Sequence, residues 1–86
     1  MRITFDPNKR DATLAERGLD FADAAEVFAS ATIDLPDTRF AYPEPRTVTY
    51  GYLNERLVVV VWTATEDGCR VISMRKANDR EQRRYG

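Results

Sequence analysis

Leu57-Val58-Val59-Val60-Val61-Trp62-Thr63 decides the fold. The run is rich in strand formers and is apolar at successive positions rather than at alternate ones. A strand with one wet face alternates, so an unbroken apolar run marks a central strand covered on both faces. One helical layer covers only one of them. The second cover is either the C-terminal helix crossing the opposite face or another chain, because a bare face would be an exposed apolar patch.

Working outward, Leu53-Asn54-Glu55-Arg56 reads as the turn joining this strand to an alternating strand over Thr47–Tyr52. On the other side Glu66-Asp67-Gly68 turns the chain into Cys69–Arg75. Strict alternation there puts Val71, Ser73 and Arg75 on one face and Ile72 and Met74 on the other. Residues 77–85 are helix formers, with Asn78 or Asp79 available as the cap. Towards the N-terminus, Phe21, Ala24, Ala25 and Phe28 recur at i, i+3, i+4 and i+7, the spacing of a helix that packs on the sheet. Residues 6–17 form an earlier, mostly exposed helix, opened by Asp6-Pro7 and closed by Gly18. Arg2–Phe5 is a short strand. Ile33-Asp34-Leu35 has the composition of another, and Pro36, Pro43 and Pro45 stiffen a connection over 36–46. Such a long connection is either functional or disordered. The expected order is β-α-α-β-β-β-β-α: one α+β domain over 1–86, with an antiparallel sheet, two N-terminal helices and a C-terminal helix.

A chain of 86 residues hides only about 60 % of its unfolded surface, which favours association with a partner. Cys69 is the single cysteine, so no intrachain bridge forms and a structural role in a reducing compartment is expected. No apolar run reaches the ~20 residues of a membrane span, and the N-terminus lacks a signal-peptide core. A cytoplasmic protein with no membrane association is the resulting expectation. The absence of histidine removes the usual neutral-pH base and the commonest metal ligand, which argues against a metal site.

Net charge is −1, but this figure conceals a dipole: residues 1–69 carry 7 basic and 12 acidic side chains, and 70–86 carry 6 and 2. Arg70, Arg75, Lys76, Arg80, Arg83 and Arg84 make a basic surface suited to a polyanion, against the plainer reading of a solvated terminal helix. Guanidinium forks match phosphate oxygens in pairs and stay charged, so they both bind a backbone and stabilise a phosphorane-like transition state. Glu81 and Tyr85 lie four apart beside these arginines, placed to accept or donate a proton or to stack on a base. The structural alternative pairs Glu81 with Arg84 or Lys76 and packs Tyr85 on the sheet. Lys9, Arg10 and Arg46 join the basic surface only if the fold brings them there.

The order of landmarks carries a resemblance. Phe5-Asp6 with Lys9, Gly18-Leu19 with Phe21, Ala24-Ala25 and Val27-Phe28, then Arg46, Gly51, Val61 and Thr63 precede Arg70-Val71-Ile72-Ser73-Met74-Arg75-Lys76-Ala77, Arg80-Glu81 and Tyr85. This series resembles the BrnT family of bacterial toxins along the whole chain, most specifically in its C-terminal stretch. The resemblance implies a RelE-like ribonuclease fold and an endoribonuclease that halts translation. It also implies a ribbon-helix-helix antitoxin of the BrnA type, held in a hetero-oligomer that touches DNA only through the antitoxin. Where the family usually has Lys-His-Gly, this chain has Glu16-Arg17-Gly18, so the histidine is missing. An obligatory base there would leave the chain weakened, whereas a phosphate-holding role could pass to Arg17 with Glu16 opposing it. A retained but reduced activity is the expectation.

Clustering and resemblance together lead to an expected mechanism, cofactor-free and metal-free attack of a ribose 2′-hydroxyl on its neighbouring phosphate. Arg46 and Arg75 stabilise charge with Arg80 assisting, and Glu81 or Tyr85 moves the proton. Lys9 and Arg17 orient the backbone, with Arg70, Lys76, Arg83 and Arg84 holding RNA. The competing expectation is a non-catalytic module that binds nucleic acid or antitoxin through the same surface.

Overall fold

A computed structural model describes residues 1–86. In chain order it contains β1 (Arg2–Phe5), α1 (Pro7–Arg17), a 3-10 turn (Phe21–Asp23) running into α2 (Ala24–Phe28), β2 (Ile33–Pro36), β3 (Thr47–Leu53), β4 (Arg56–Ala64), β5 (Gly68–Lys76) and α3 (Asp79–Tyr85). The strands make one sheet in the order β1-β5-β4-β3-β2, with β4 at its centre. From β2 to β5 the pairings are antiparallel, and Asn54 and Glu55 close the β3–β4 hairpin with both φ angles positive, as a tight two-residue turn requires.

The expected all-antiparallel sheet is corrected at one edge. β1 lies parallel to β5, with Arg2 opposite Gly68 and Phe5 opposite Val71, so the sheet is mixed. Hairpin reasoning reaches only strands joined by short turns, whereas β1 leaves through the helices and meets a partner far along the chain. A β-carbon on Gly68 would collide with the Arg2 backbone, so glycine is what lets β1 approach.

Caps set the helices. The Asp6 side chain accepts from the Asn8 N–H at 2.9 Å, Pro7 opens α1, and Gly18 closes it in the left-handed region at φ 69°. α1 buries none of its residues and is strapped down by Arg10, whose Nε and Nη2 donate to the Asp20 carboxylate at 3.0 and 3.2 Å. The single second helix read from the sequence is instead the 3-10 turn plus five-residue α2. Its buried face is Phe21, Ala24 and Val27, and Ala25 points to solvent. The tighter 3-10 turn rotates the face away from the expected 3.6-residue spacing.

Both faces of β4 are covered. Val58 and Val60 face the helical layer with Phe21, Val27, Cys69, Val71 and Met74, while Leu57 and Val59 face Ala77, Tyr50, Tyr52 and Tyr85 beneath α3. Of the two covers the sequence allowed, the same chain supplies the second, with α3 lying over Leu57 and Val59 through Tyr85 and the end of β2 with Asp37–Arg39 lying beside Val61. The alternation expected in β5 is broken by a bulge, since Val61 pairs with Ser73 but Trp62 pairs with Val71. Val71 therefore shares the helical face with Met74, not with Ser73 and Arg75 as a regular strand would have it. The bulge leaves Ser73 and Arg75 on the wall of a hollow beside α3.

Candidate active site

The hollow on the α3 side of the sheet encloses about 350 Å³. Val48, Val59 and Val61 floor it, Tyr50, Arg75 and Glu81 wall one side, and Asp37 and Arg39 wall the other. Arg75 and Glu81 meet fork to fork, with Nη1 donating to Oε1 at 2.7 Å and Nη2 to Oε2 at 2.9 Å. α3 fixes the carboxylate through a capping box: Asn78 N–H donates to Glu81 Oε1 at 3.0 Å, and Glu81 N–H donates to Asn78 Oδ1 at 2.9 Å. A fourth donor comes from the sheet, where the Tyr50 hydroxyl reaches Glu81 Oε2 at 3.2 Å. The Tyr50 ring stacks on Tyr85 with centroids 4.1 Å apart.

This network sets the protonation states. The Arg75 fork, aided by the Asn78 N–H and the Tyr50 hydroxyl, holds Glu81 ionised with its pKa lowered to about 2. Burial and the nearby Glu81 charge push the Tyr50 hydroxyl up. Glu81 is 12 % exposed and Arg75 43 %, so the carboxylate is the half-buried anchor and the guanidinium the accessible end. On the opposite wall Asp37, its side chain 1 % exposed, receives Arg39 Nε and Nη2 at 2.9 Å each and also sits at a pKa of about 2.

A pH dependence follows. An unfolded glutamate titrates near 4.5, whereas folded Glu81 stays ionised to about 2, so the unfolded chain binds more protons between those values. The stabilisation from Glu81 is complete above pH 4.5 and lost as pH falls towards 2. Thermal melts across that window will show a falling midpoint, and Glu81→Gln will melt lower at neutral pH with a shallower acid decline. An equally steep decline in the variant removes Glu81 as a source.

The residues singled out in the sequence fall into four places. Arg75, Glu81 and Tyr85 come together around Tyr50. Lys9, Arg46 and Arg70 come together in a second hollow of about 140 Å³ with Asp6 and Glu44, where Arg46 Nε lies 3.2 Å from Glu44 Oε1. Arg70 and Arg75 are separated by about 16 Å along β5, so one phosphate cannot touch both, but an extended strand can. Lys76, Arg80, Arg83 and Arg84 lie exposed at the end of β5 and along α3, with Arg84 5.6 Å from the centre of the Tyr85 ring. Arg17 reaches from α1 to β5, where its Nη1 donates to the Met74 carbonyl at 2.9 Å, next to Arg75 in the chain.

Three participants were missed in the sequence. Tyr50 reads there only as a strand residue, although its place between Val48 and Tyr52 in the alternation marks the α3 side. Asp37 and Arg39 sit in a stretch that proline content alone marks as irregular, and their opposite charges two positions apart were the available signal. Cys69 is buried, and desolvation pushes its thiol up, consistent with a packing role. No helix is long and apolar enough to cross a membrane.

A family model described as the ribonuclease toxin BrnT of type II toxin–antitoxin systems matches residues 5–81. The match takes in Lys9, Arg17, Arg46, Arg70, Arg75, Lys76, Arg80 and Glu81, while Arg83, Arg84 and Tyr85 lie beyond it. A comparison with curated proteins gives no match. The family match spans both hollows and every strand that floors them, and the chain belongs to the BrnT family of ribonuclease toxins of type II toxin–antitoxin systems.

Proposed function

We propose that the chain is a metal-independent endoribonuclease of RelE-like architecture that inhibits translation by cutting RNA and is neutralised by a ribbon-helix-helix antitoxin. The observation that carries the reading is the Arg75–Glu81 fork, an accessible guanidinium held in a fixed plane by a half-buried carboxylate over an apolar floor. A guanidinium so held meets the developing charge of a phosphorane without reorganising.

In the free protein Glu81 is too acidic to accept a proton at neutral pH. In this scheme a substrate phosphate shares the Arg75 guanidinium through its remaining N–H groups, which weakens the hold on Glu81 and raises its proton affinity as it takes the 2′-hydroxyl proton. The 2′-oxygen attacks the phosphorus, the bond to the 5′-oxygen breaks, and Tyr85 supplies the proton to that leaving oxygen. The products are a 2′,3′-cyclic phosphate and a 5′-hydroxyl, and solvent returns the protons. Arg46 and Arg80 add positive charge, Lys9, Arg17 and Arg70 orient the flanking backbone, and Lys76, Arg83 and Arg84 hold the strand electrostatically.

Purified protein is expected to cut RNA in excess chelator and leave cyclic-phosphate ends. Induction in a bacterial host is expected to arrest growth, with relief when a neighbouring ribbon-helix-helix gene is co-expressed. Cleavage that stops on chelation and returns with a divalent cation overturns the metal-free scheme.

A further inference from the structure

The loop between β2 and β3 holds an aromatic group where the core cannot use it. Phe40 is 68 % exposed, and its ring meets Tyr42 edge to face at 5.8 Å. Arg46 lays its guanidinium 3.9 Å from the centre of the Tyr42 ring, making a three-member cluster of phenyl, phenol and cation. The loop is braced. Asp37 N–H donates to the Arg46 carbonyl at 2.9 Å, Thr63 Oγ1 donates to the Pro45 carbonyl at 2.8 Å, and Asp37 is locked to Arg39. Pro36, Pro43 and Pro45 fix three further backbone angles. The braces hold both ends of the loop, and between them Phe40 stands exposed with Tyr42 as its aromatic neighbour.

The position of the loop gives this cluster a use. The hollow under it shares Asp37 and Thr38 with the Arg75 hollow, and Glu44 and Arg46 with the Lys9–Arg70 hollow. It lies between the two sites that the RNA-cleaving reading assigns to one substrate strand. We propose that Phe40, backed by Tyr42 and Arg46, is the seat of an unpaired nucleobase, and that the substrate is therefore single-stranded RNA. This rests on the ribonuclease reading above and adds the strandedness of the substrate. A phenyl ring offers no hydrogen bond, so the seat takes any base that has left its stack and rejects a base held in a duplex. Arg46 joins the seat to the backbone contacts, since the same guanidinium stacks on Tyr42 and faces Lys9 and Arg70 across the second hollow.

The test uses the intact chain and a fluorescent 2′-O-methyl single strand that cannot be cut, read by anisotropy across a salt series. Phe40→Ala is expected to weaken binding about 5- to 150-fold, the range for loss of one base–aromatic stack. The slope of affinity against salt is expected to stay unchanged, because no phosphate contact is removed. Phe40→Trp is expected to restore binding, and an abasic strand to be indifferent to both substitutions. Exposure at position 40 makes an unchanged melting temperature the expected control. Steep salt-dependent binding that Phe40→Ala leaves intact overturns the nucleobase seat while the RNA reading stands. Loss of antitoxin binding with unchanged RNA binding overturns it in favour of a protein contact. Absence of salt-dependent binding in the wild type defeats the RNA reading itself.

Discussion

Arg75→Ala will lower kcat for RNA cleavage by about 10²- to 10³-fold, the cost of removing one preorganised donor aimed at developing negative charge. The effect is expected to fall mainly on kcat, because the substitution leaves the backbone contacts proposed for the Lys9–Arg46–Arg70 hollow in place. Arg75→Lys will recover little, since an ammonium cannot meet Glu81 and a phosphate with the planar pair of donors that the fork supplies. Truncating Arg75 also strands Glu81 in a half-buried place with only Tyr50 and Asn78 for company, so some loss of stability accompanies the loss of rate. The double variant Arg75→Met with Glu81→Gln separates the two effects. It removes both charges, is expected to melt closer to the wild type than Arg75→Ala does, and must still be slow. Single-turnover cleavage measured beside thermal melts checks this, and wild-type rates in both variants would falsify the assignment of Arg75.

The largest expected effect on stability lies on the other face of the sheet. Phe21→Ala will destabilise the domain by about 3–5 kcal/mol, the cost of truncating a fully buried phenyl group and leaving a cavity. Phe21 is 1 % exposed, meets Phe5 edge to face at 5.9 Å, and packs in the cluster that joins the 3-10 turn and α2 to β4 and β5. Domains of this size are stable by roughly 0.05–0.15 kcal/mol per residue, so the loss removes a large part of the total. At about 4–8 °C per kcal/mol the midpoint falls by about 12–40 °C. Phe21→Leu keeps most of the volume and is expected to lose far less. If Phe21→Ala melts within a few tenths of a kcal/mol of the wild type, the helical layer is not anchored where this packing places it.

The two substitutions fall on opposite faces of β4, and one pattern in the sequence accounts for both. Because every residue from Leu57 to Val61 is buried, the strand supports a hydrophobic core on one side and an apolar floor under charged groups on the other. Ion pairs above such a floor are shielded from water on one flank, which strengthens the fork; burial alone would raise the pKa of Glu81, and the hydrogen bonds from Arg75 outweigh it.

Much was legible from the residues alone, because the signals were local. Asp6-Pro7 and Gly18 bound α1 through backbone geometry that needs no tertiary context. Asn54-Glu55 closes a hairpin by chain reversal, and of the two caps the sequence offered for α3, Asn78 and Asp79, the structure uses Asn78. The continuous apolar run demanded two covers for β4, and the four-residue spacing of Glu81 and Tyr85 brings them to the same tyrosine. Tertiary structure decided what depends on residues distant in sequence. It placed β1 parallel to β5, introduced the bulge that turns Ser73 and Arg75 to the α3 side, and delivered Tyr50 and the Asp37–Arg39 pair to the hollow. It also divided the arginines that the sequence grouped, giving Arg75 a carboxylate partner and leaving Arg80, Arg83 and Arg84 in solvent. The reason is physical: caps, turns and periodicity are set by atoms within a few bonds' reach, whereas register, strand direction and ion-pair choice are settled only when separate elements compete for the same surface.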